Sequence, residues 1–288
     1  MFIHYIFTSR FRVVTRALFA LVCVLAMLPV AEAQWWGSRD REVPDAPKAG
    51  KAKADAFTFC TIRYSPNGVR EPLGFGWSTD WPDSGHNFML RLEELTTIRI
   101  SREEDGEPHQ VVLDLSNPAL FDYPYIFMSD VGTLSLNELE AANLRKYLLR
   151  GGFLHVDDFW GQLAWDSWAM EIGLVLPPEE GYVIRDIPLS HEIFHIVFEV
   201  KEVPQVPSIQ YWSRSMDGTT SERGLETIDA HLRGIWDKKG RLMVVMSHNT
   251  DIADGWEKER ENEQYFREFS VKKSYPIGIN IVVYALTH

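Results

Sequence analysis

DYPYIFMSDVGTLSLNELEAANLRKYLLRGGFLHVDDFW, residues 122–160, reads as a strand, a helix and a second strand. The apolar run at 125–128 has strand length, 136–149 has helix length, and 153–156 is short and apolar again. Residues 135–138 (SLNE) fit a capping box, in which a Ser hydroxyl and a Glu carboxylate satisfy N–H groups at the helix start. Gly151 and Gly152 stop the helix, since glycine takes the left-handed conformation that a helix end needs. Each strand ends in acid: Asp130 after the first, Asp157 and Asp158 after the second. A parallel crossover is right-handed and both strands run the same way, so these carboxylates share one edge of the sheet. In open α/β sheets that edge, outside the carboxyl ends of the strands, is where ligands bind.

On the amino-terminal side, FTFCTIRY (57–64) alternates around β-forming residues and predicts a core strand with Cys60 packed inside it. Residues 65–85 form a loop too long for an ordinary connection, rich in Gly and Pro and carrying Trp77 and Trp81; long ordered loops often line sites. A helix at 86–95, a short strand at 97–100, a charged turn at 101–110 and an edge strand at 111–115 complete this half. On the other side, 163–174 predicts a helix ended by Pro177 and Pro178. Residues 182–212 look strand-like but are broken by Pro188, Pro204 and Pro207, which implies irregular or edge strands. Segments 228–236 and 241–247 flank a hairpin loop from Asp237 to Gly240. Ser274 and Pro276 open a helix at 277–286, with strand as the competing assignment because of its β-branched residues. There is no internal repeat. Alternating strands and helices give a three-layer α/β domain with a mainly parallel sheet.

The chain has 288 residues, 45% apolar and 12% aromatic, enough for a real core. Its net charge of −12 repels phosphate backbones, so nucleic acid is not an expected partner. Residues 1–33 fit a secretory signal: Arg10, Arg12 and Arg16, an apolar core at 17–28, and Ala31-Glu32-Ala33 as the cleavage site. Export is the consequence, with the membrane met only in transit and a periplasmic or secreted destination. Residues 34–56, rich in Ala, Lys, Asp and Pro, read as a flexible linker, and 57–288 as a single domain. Of the two cysteines, Cys23 lies in the signal, which leaves Cys60 without an intramolecular partner after cleavage.

With FTFCTIRY (57–64), Trp77 and Trp81 before Asn87, YPYIFMSDVG (123–132), LRKYLLRGGFLHVDDFWG (144–161), IPLSHEIFH (187–195) and INIVVYALT (279–287) assembled, the chain resembles the bacterial family known as domain of unknown function 4159. That family is similar to class I glutamine-amidotransferase-like domains, which implies a flavodoxin-like sheet. It implies no reaction. Amidotransferases place a cysteine nucleophile at a Gly-x-Cys-x-Gly elbow between strand and helix; here the comparable turn is Asp157-Asp158-Phe159-Trp160-Gly161, without Cys or Ser. Envelope ATPases and von Willebrand type A proteins are the neighbours that the resemblance implies as partners.

Three constellations could carry chemistry. The first is Ser129, Asp130, Asp157 and Asp158, which can bind hydroxyls, act as general acid and base, or ligate a divalent cation through oxygen. The competing reading is that Asp130 and Asp158 merely cap the turns and helices after them. His155, on the Asp157 face, reads as a hydrogen-bonded core histidine. The second is His191-Glu192-Ile193-Phe194-His195, a literal H-E-x-x-H. Pro188 and the strand-like 196–200 deny it a helix, so no zinc is expected and His191 is either part of a turn or a substrate-facing residue. The third is the loop His248, Asn249, Asp251, Asp254 and Trp256, which suits carbohydrate or peptide recognition or is a solvated loop anchored by Trp256.

The expected ligand site is therefore Asp130, Asp157, Asp158, Asn249 and Asp251, walled by Trp77 and Trp160, with His191 as a further candidate. No metal ligand and no cofactor is assigned from the sequence. Two functions stay open: an envelope binding or accessory module for a small molecule, glycan or protein, and a carboxylate- or metal-dependent envelope hydrolase of glycan or peptide.

Overall fold

The computed structural model describes residues 55–66, 75–215 and 218–288; the expected leader at 1–33 and all but the end of the expected linker at 34–56 lie outside them. No helix among the described residues is long and apolar enough to cross a membrane. In chain order the strands are β1 (Cys60–Arg63), β2 (Ser65–Pro66), β3 (Val111–Asp114), β4 (Tyr125–Ser129), β5 (Leu134–Ser135), β6 (Phe153–Phe159), β7 (Arg185–Asp186), β8 (His231–Trp236) and β9 (Leu242–His248). The helices are α1 (Asp83–Leu95), α2 (Glu138–Leu149), α3 (Gly161–Val175), α4 (Ile209–Arg214), α5 (Asp254–Glu257), α6 (Glu263–Tyr265) and α7 (Tyr275–Thr287). A π-helical segment, Phe266–Ser274, runs into α7.

Seven strands form one sheet in the order β3-β1-β4-β6-β9-β8-β7. From β3 to β9 the pairs are parallel; β8 and β7 are added antiparallel. Ranked by chain position, the parallel strands take the flavodoxin-like order in which the second strand is outermost and the direction of winding switches beside the first. Side chains alternate between two cores, as expected of parallel strands covered on both faces. Tyr125, Phe127 and Phe153 enter one core with Phe88 of α1 and Ile281 of α7. Ile126, Met128, Leu154 and Val156 enter the other with Leu148 of α2 and Trp168 of α3. The result is a three-layer sandwich.

The strand-helix-strand unit at 122–160 is β4, α2 and β6, but its cap is not SLNE. Asn137 accepts from Glu140 N at 3.0 Å, while the Glu140 carboxylate accepts from Asn137 N at 3.0 Å. Ser135 is unavailable for capping because it is paired with Ser65 in the small β2–β5 ribbon. The expected strand at 97–100 shrinks to an isolated bridge from Ile100 to Phe57. Most of 182–212 is irregular, as its prolines require, yet it ends in a helix that the sequence pattern does not announce: α4, capped by Ser208 Oγ accepting from Tyr211 N at 3.3 Å. The hairpin is as expected, with Asp237 Oδ1 accepting from Lys239 N and Arg241 N and Gly240 at φ 90°. Residues 277–286 are helical, within α7: Ile277, Ile279, Ile281 and Val282 are buried against the sheet, and packing outweighs propensity.

Candidate functional site: a carboxylate cluster at the carboxyl edge

Three adjacent strands, β4, β6 and β9, run into Asp130, Asp158 and Asn249 at φ 56°, 53° and 59°. These are the described non-glycine residues with positive φ, a conformation that Asp and Asn tolerate best and that clusters at functional sites. In β6 the cause is a bulge: Val156 pairs with Met246 but Phe159 pairs with His248, so β6 carries one residue more than β9 across the same stretch. Val156 and Phe159 consequently face the same core, and the extra residue leaves Asp157 and Asp158 at the lip of the sheet.

Asp130 anchors the long loop. Its Oδ2 accepts from the Phe75 and Gly76 amides, the latter at 2.7 Å, and from Thr79 Oγ1 at 3.3 Å. It makes no side-chain cap to the next turn, which removes the capping reading there. The anchored loop delivers Asp80, whose Oδ2 accepts from Ser129 Oγ at 2.5 Å. Ser129 is the cross-strand partner of Asp157, so Asp80 and Asp157 are neighbours over the sheet. Asp158 does not cap α3 either: its Oδ1 accepts from Trp160 Nε1 at 3.0 Å, and the helix begins without a side-chain cap.

Asp80, Asp158 and Asp251 each offer an oxygen within 4.8 Å of the other two. Asp80 and Asp251 are 2% and 3% exposed, so water cannot screen them freely. None of the three is in an ion pair among the described residues; the nearby Lys258 is held by Glu257 at 2.9 Å and Glu261 at 3.2 Å. All three carboxyls are pushed well above the usual carboxylate range. Burial is the largest cause in each, with Glu257 next for Asp80, Asp80 and Asp130 for Asp158, and Asp158 and Asp80 for Asp251.

Asp157 is the floor of the cluster and has no exposed surface. Its Oδ2 accepts from Ala253 N at 2.7 Å, two residues beyond Asp251. The Ile252 and Asp158 amides and the Ser247 hydroxyl approach the carboxylate without completing a hydrogen bond to Oδ1, which is buried and unpartnered. Burial pushes this group up to about 7, against the pull of the Ala253 N–H. Behind it Asp254 Oδ2 accepts from Tyr265 Oη at 2.7 Å and Ile209 N at 2.9 Å, and burial raises Asp254 to about 7 as well.

Of the residues expected from the sequence, Asp157, Asp158 and Asp251 meet in one cluster, with Asp130 and Trp160 bonded to its margin. Asn249 adjoins it as a bracket: Oδ1 accepts from Gly161 N at 2.9 Å, and Nδ2 donates to Asp229 O at 2.9 Å. Each end of the amide thus has a partner, one at the start of α3 and one at Asp229. Trp77 lies in the anchored loop with its ring 6.1 Å from that of Trp81, packed on the α2–α3 core. His191 is elsewhere. Its ring is 5.6 Å from Tyr284, whose hydroxyl accepts from Leu242 N at the opposite, amino end of β9. His195 Nδ1 meets Glu199 at 3.0 Å and Nε2 meets Leu189 O at 2.6 Å, and the H-E-x-x-H residues form a single 3-10 turn, since the flanking proline and irregular backbone prevent a helix. A cavity of about 470 Å³ at that amino edge, beside Asp55, Arg99 and Tyr123, shares no residue with the carboxylates. Asp80 is the member of the cluster that sequence reasoning did not find. Its only signal is an aspartate between two tryptophans in a loop too long to be a plain connection.

A family model described as "Domain of unknown function (DUF4159)" matches residues 58–286. No curated protein matches the chain.

Proposed function

Because the chain belongs to the DUF4159 family, a membership that brings a scaffold and no reaction, we propose from the site that it is an exported binding or accessory module of the cell envelope. Its ligand is held at the carboxyl edge of the sheet by Asp80, Asp158 and Asp251 over Asp157. The observation that carries this reading is the convergence of three carboxylates outside any ion pair among the described residues, two of them buried, at an edge where Asp130, Asp158 and Asn249 sit left-handed at or next to the ends of three neighbouring strands. Like charges gathered in a dry place cost stability unless a ligand offsets them. The strand order supports kinship with amidotransferase-like domains as scaffolds, while the turn Phe159-Trp160-Gly161 holds no nucleophile. The leader-like residues 1–33 support export, and envelope ATPase-associated proteins are the partners that this reading implies.

A glycoside hydrolase needs its two carboxyls roughly 5–9 Å apart with the sugar between them. Oxygens within 4.8 Å of one another in a buried cluster suit a ligand gripped from several sides better than one cleaved in a cleft. The test is thermal unfolding of Asp157→Asn and Asp158→Asn beside a screen of glycans, peptides and metal ions. Stability unchanged or raised together with abolished binding is the expected result. A loss of about 0.5–2 kcal/mol, the size of a lost cap, with ligand binding unaltered would sink the site.

A further inference from the structure

We propose that the ligand gripped by Asp80, Asp158 and Asp251 is a hard divalent cation, calcium or magnesium, bound through carboxylate oxygen above Asp157. The inference rests on the reading of this edge as a ligand site and names the chemical class of what fills it.

The donor set decides the class. No His or Cys joins the three carboxylates among the described residues, and an all-oxygen set selects calcium, magnesium or manganese over zinc or copper. Two oxygens on one ion can be no further apart than twice the metal–oxygen distance, roughly 4.2 Å for magnesium and about 5 Å for calcium. The three oxygens, all within 4.8 Å of one another, approach the spacing that the longer bonds of calcium can bridge, which favours calcium over magnesium.

Each carboxylate is also aimed. One oxygen of Asp80 is held by Ser129 Oγ, one of Asp158 by Trp160 Nε1, and one of Asp251 by Asp254 N at 2.8 Å. Neutral donors that fix one oxygen and leave the other to face the ion are what orients a carboxylate ligand. Independently, Asp157 Oδ1 is fully buried and unpartnered. Its residue is flanked on one side by Ser129, its cross-strand partner, which holds Asp80, and on the other by Ala253, two residues beyond Asp251, whose N–H donates to its Oδ2. A buried carboxylate oxygen without a donor is costly on its own and is satisfied by a cation, or by water bound to one. Asp254 is not one of the three carboxylates whose oxygens meet; its Oδ2 accepts from Ile209 N and Tyr265 Oη and locks α4 to α5.

The experiment uses the full chain after treatment with a chelator. Binding of calcium, magnesium, manganese and zinc, each alone, is measured by titration calorimetry and thermal unfolding. Terbium serves as a calcium surrogate, because Trp160 beside Asp158 should sensitise its luminescence. The expected result is one hard cation per chain, a rise in unfolding temperature with that cation, and Trp-sensitised terbium emission competed away by calcium. Asp80→Asn, Asp158→Asn and Asp251→Asn should each weaken affinity at least tenfold, while Asp186→Asn on the exposed edge strand leaves it unchanged. If a variant fails to fold, the terbium competition in the unmodified chain still decides. Absence of any hard-cation binding at millimolar concentration overturns the proposal, as does affinity that is the same in all three cluster variants as in the unmodified chain. A glycan or peptide that binds the metal-free chain and is lost in Asp158→Asn would overturn the cation while leaving the binding edge in place; absence of both kinds of ligand would overturn both.

Discussion

His155 stands in the middle of β6 with no exposed surface, its Nδ1 2.9 Å from Tyr125 Oη and its Nε2 3.3 Å from Ser247 Oγ. Burial lowers its pKa from 6.5 to about 3. Between those two values the unfolded chain binds a proton that the folded chain does not, so stability is lost as pH falls from 6.5 toward 3. At pH 5 the loss from this residue is about 2 kcal/mol. Asp157 acts with the opposite sign: its raised pKa makes the folded chain the better proton binder, a contribution lost as pH rises from 3.8 to about 7. Comparing the unmodified protein with His155→Gln isolates the histidine, and the stability gap between them should narrow by about 2 kcal/mol from pH 7.5 to pH 5 in chemical denaturation. A gap independent of pH would mean that the imidazole is not held neutral. Strand alternation is enough to read His155 as a core residue. It is not enough for Asp80, because a long loop has no period that tells which side chain turns inward, nor for the partners of Asn249, which ties Gly161 N to Asp229 O across the chain.

At the scale of elements, the stretch 75–82 before α1 carries Asp80 to the edge of the sheet. Asp130 holds it through the Phe75 and Gly76 amides and Thr79 Oγ1. Asp130→Gly keeps the left-handed backbone permissible while removing those acceptors. It should cost about 1–3 kcal/mol, as expected for hydrogen bonds to a charged group. Faster amide exchange confined to residues 75–82 is the expected signature; unchanged protection there would show that the loop is held by its tryptophans instead. The helices and parallel strands are legible because their periods and stop signals are local. The bulge in β6 is not, because it depends on how β6 registers against β9, a strand far away in the chain. The capping box slides by two residues for a related reason: Ser135 is claimed by the strand it pairs with.

For the molecule as a whole, export is the prediction that the described residues leave to the leader. Cleavage after Ala33 should leave Gln34 at the amino terminus of protein recovered from the envelope, as read by terminal sequencing or intact mass. Recovery of chains that begin at Met1 would exclude it. The fold class is readable from the order of elements, since alternating strands and helices admit few arrangements. The membership of the site is only half readable, because its carboxylates come from three unconnected stretches. Asp80 and Asp158 lie upstream of the β8–β9 turn and Asp251 lies downstream, while Lys239 and Gly240 at the tip of that turn are exposed. A backbone cut at this tip would divide the chain into two pieces, neither owning a complete site. Luminescence from a captured lanthanide would then signal reunion of the halves, which makes the turn a natural place to split the protein into a complementation reporter.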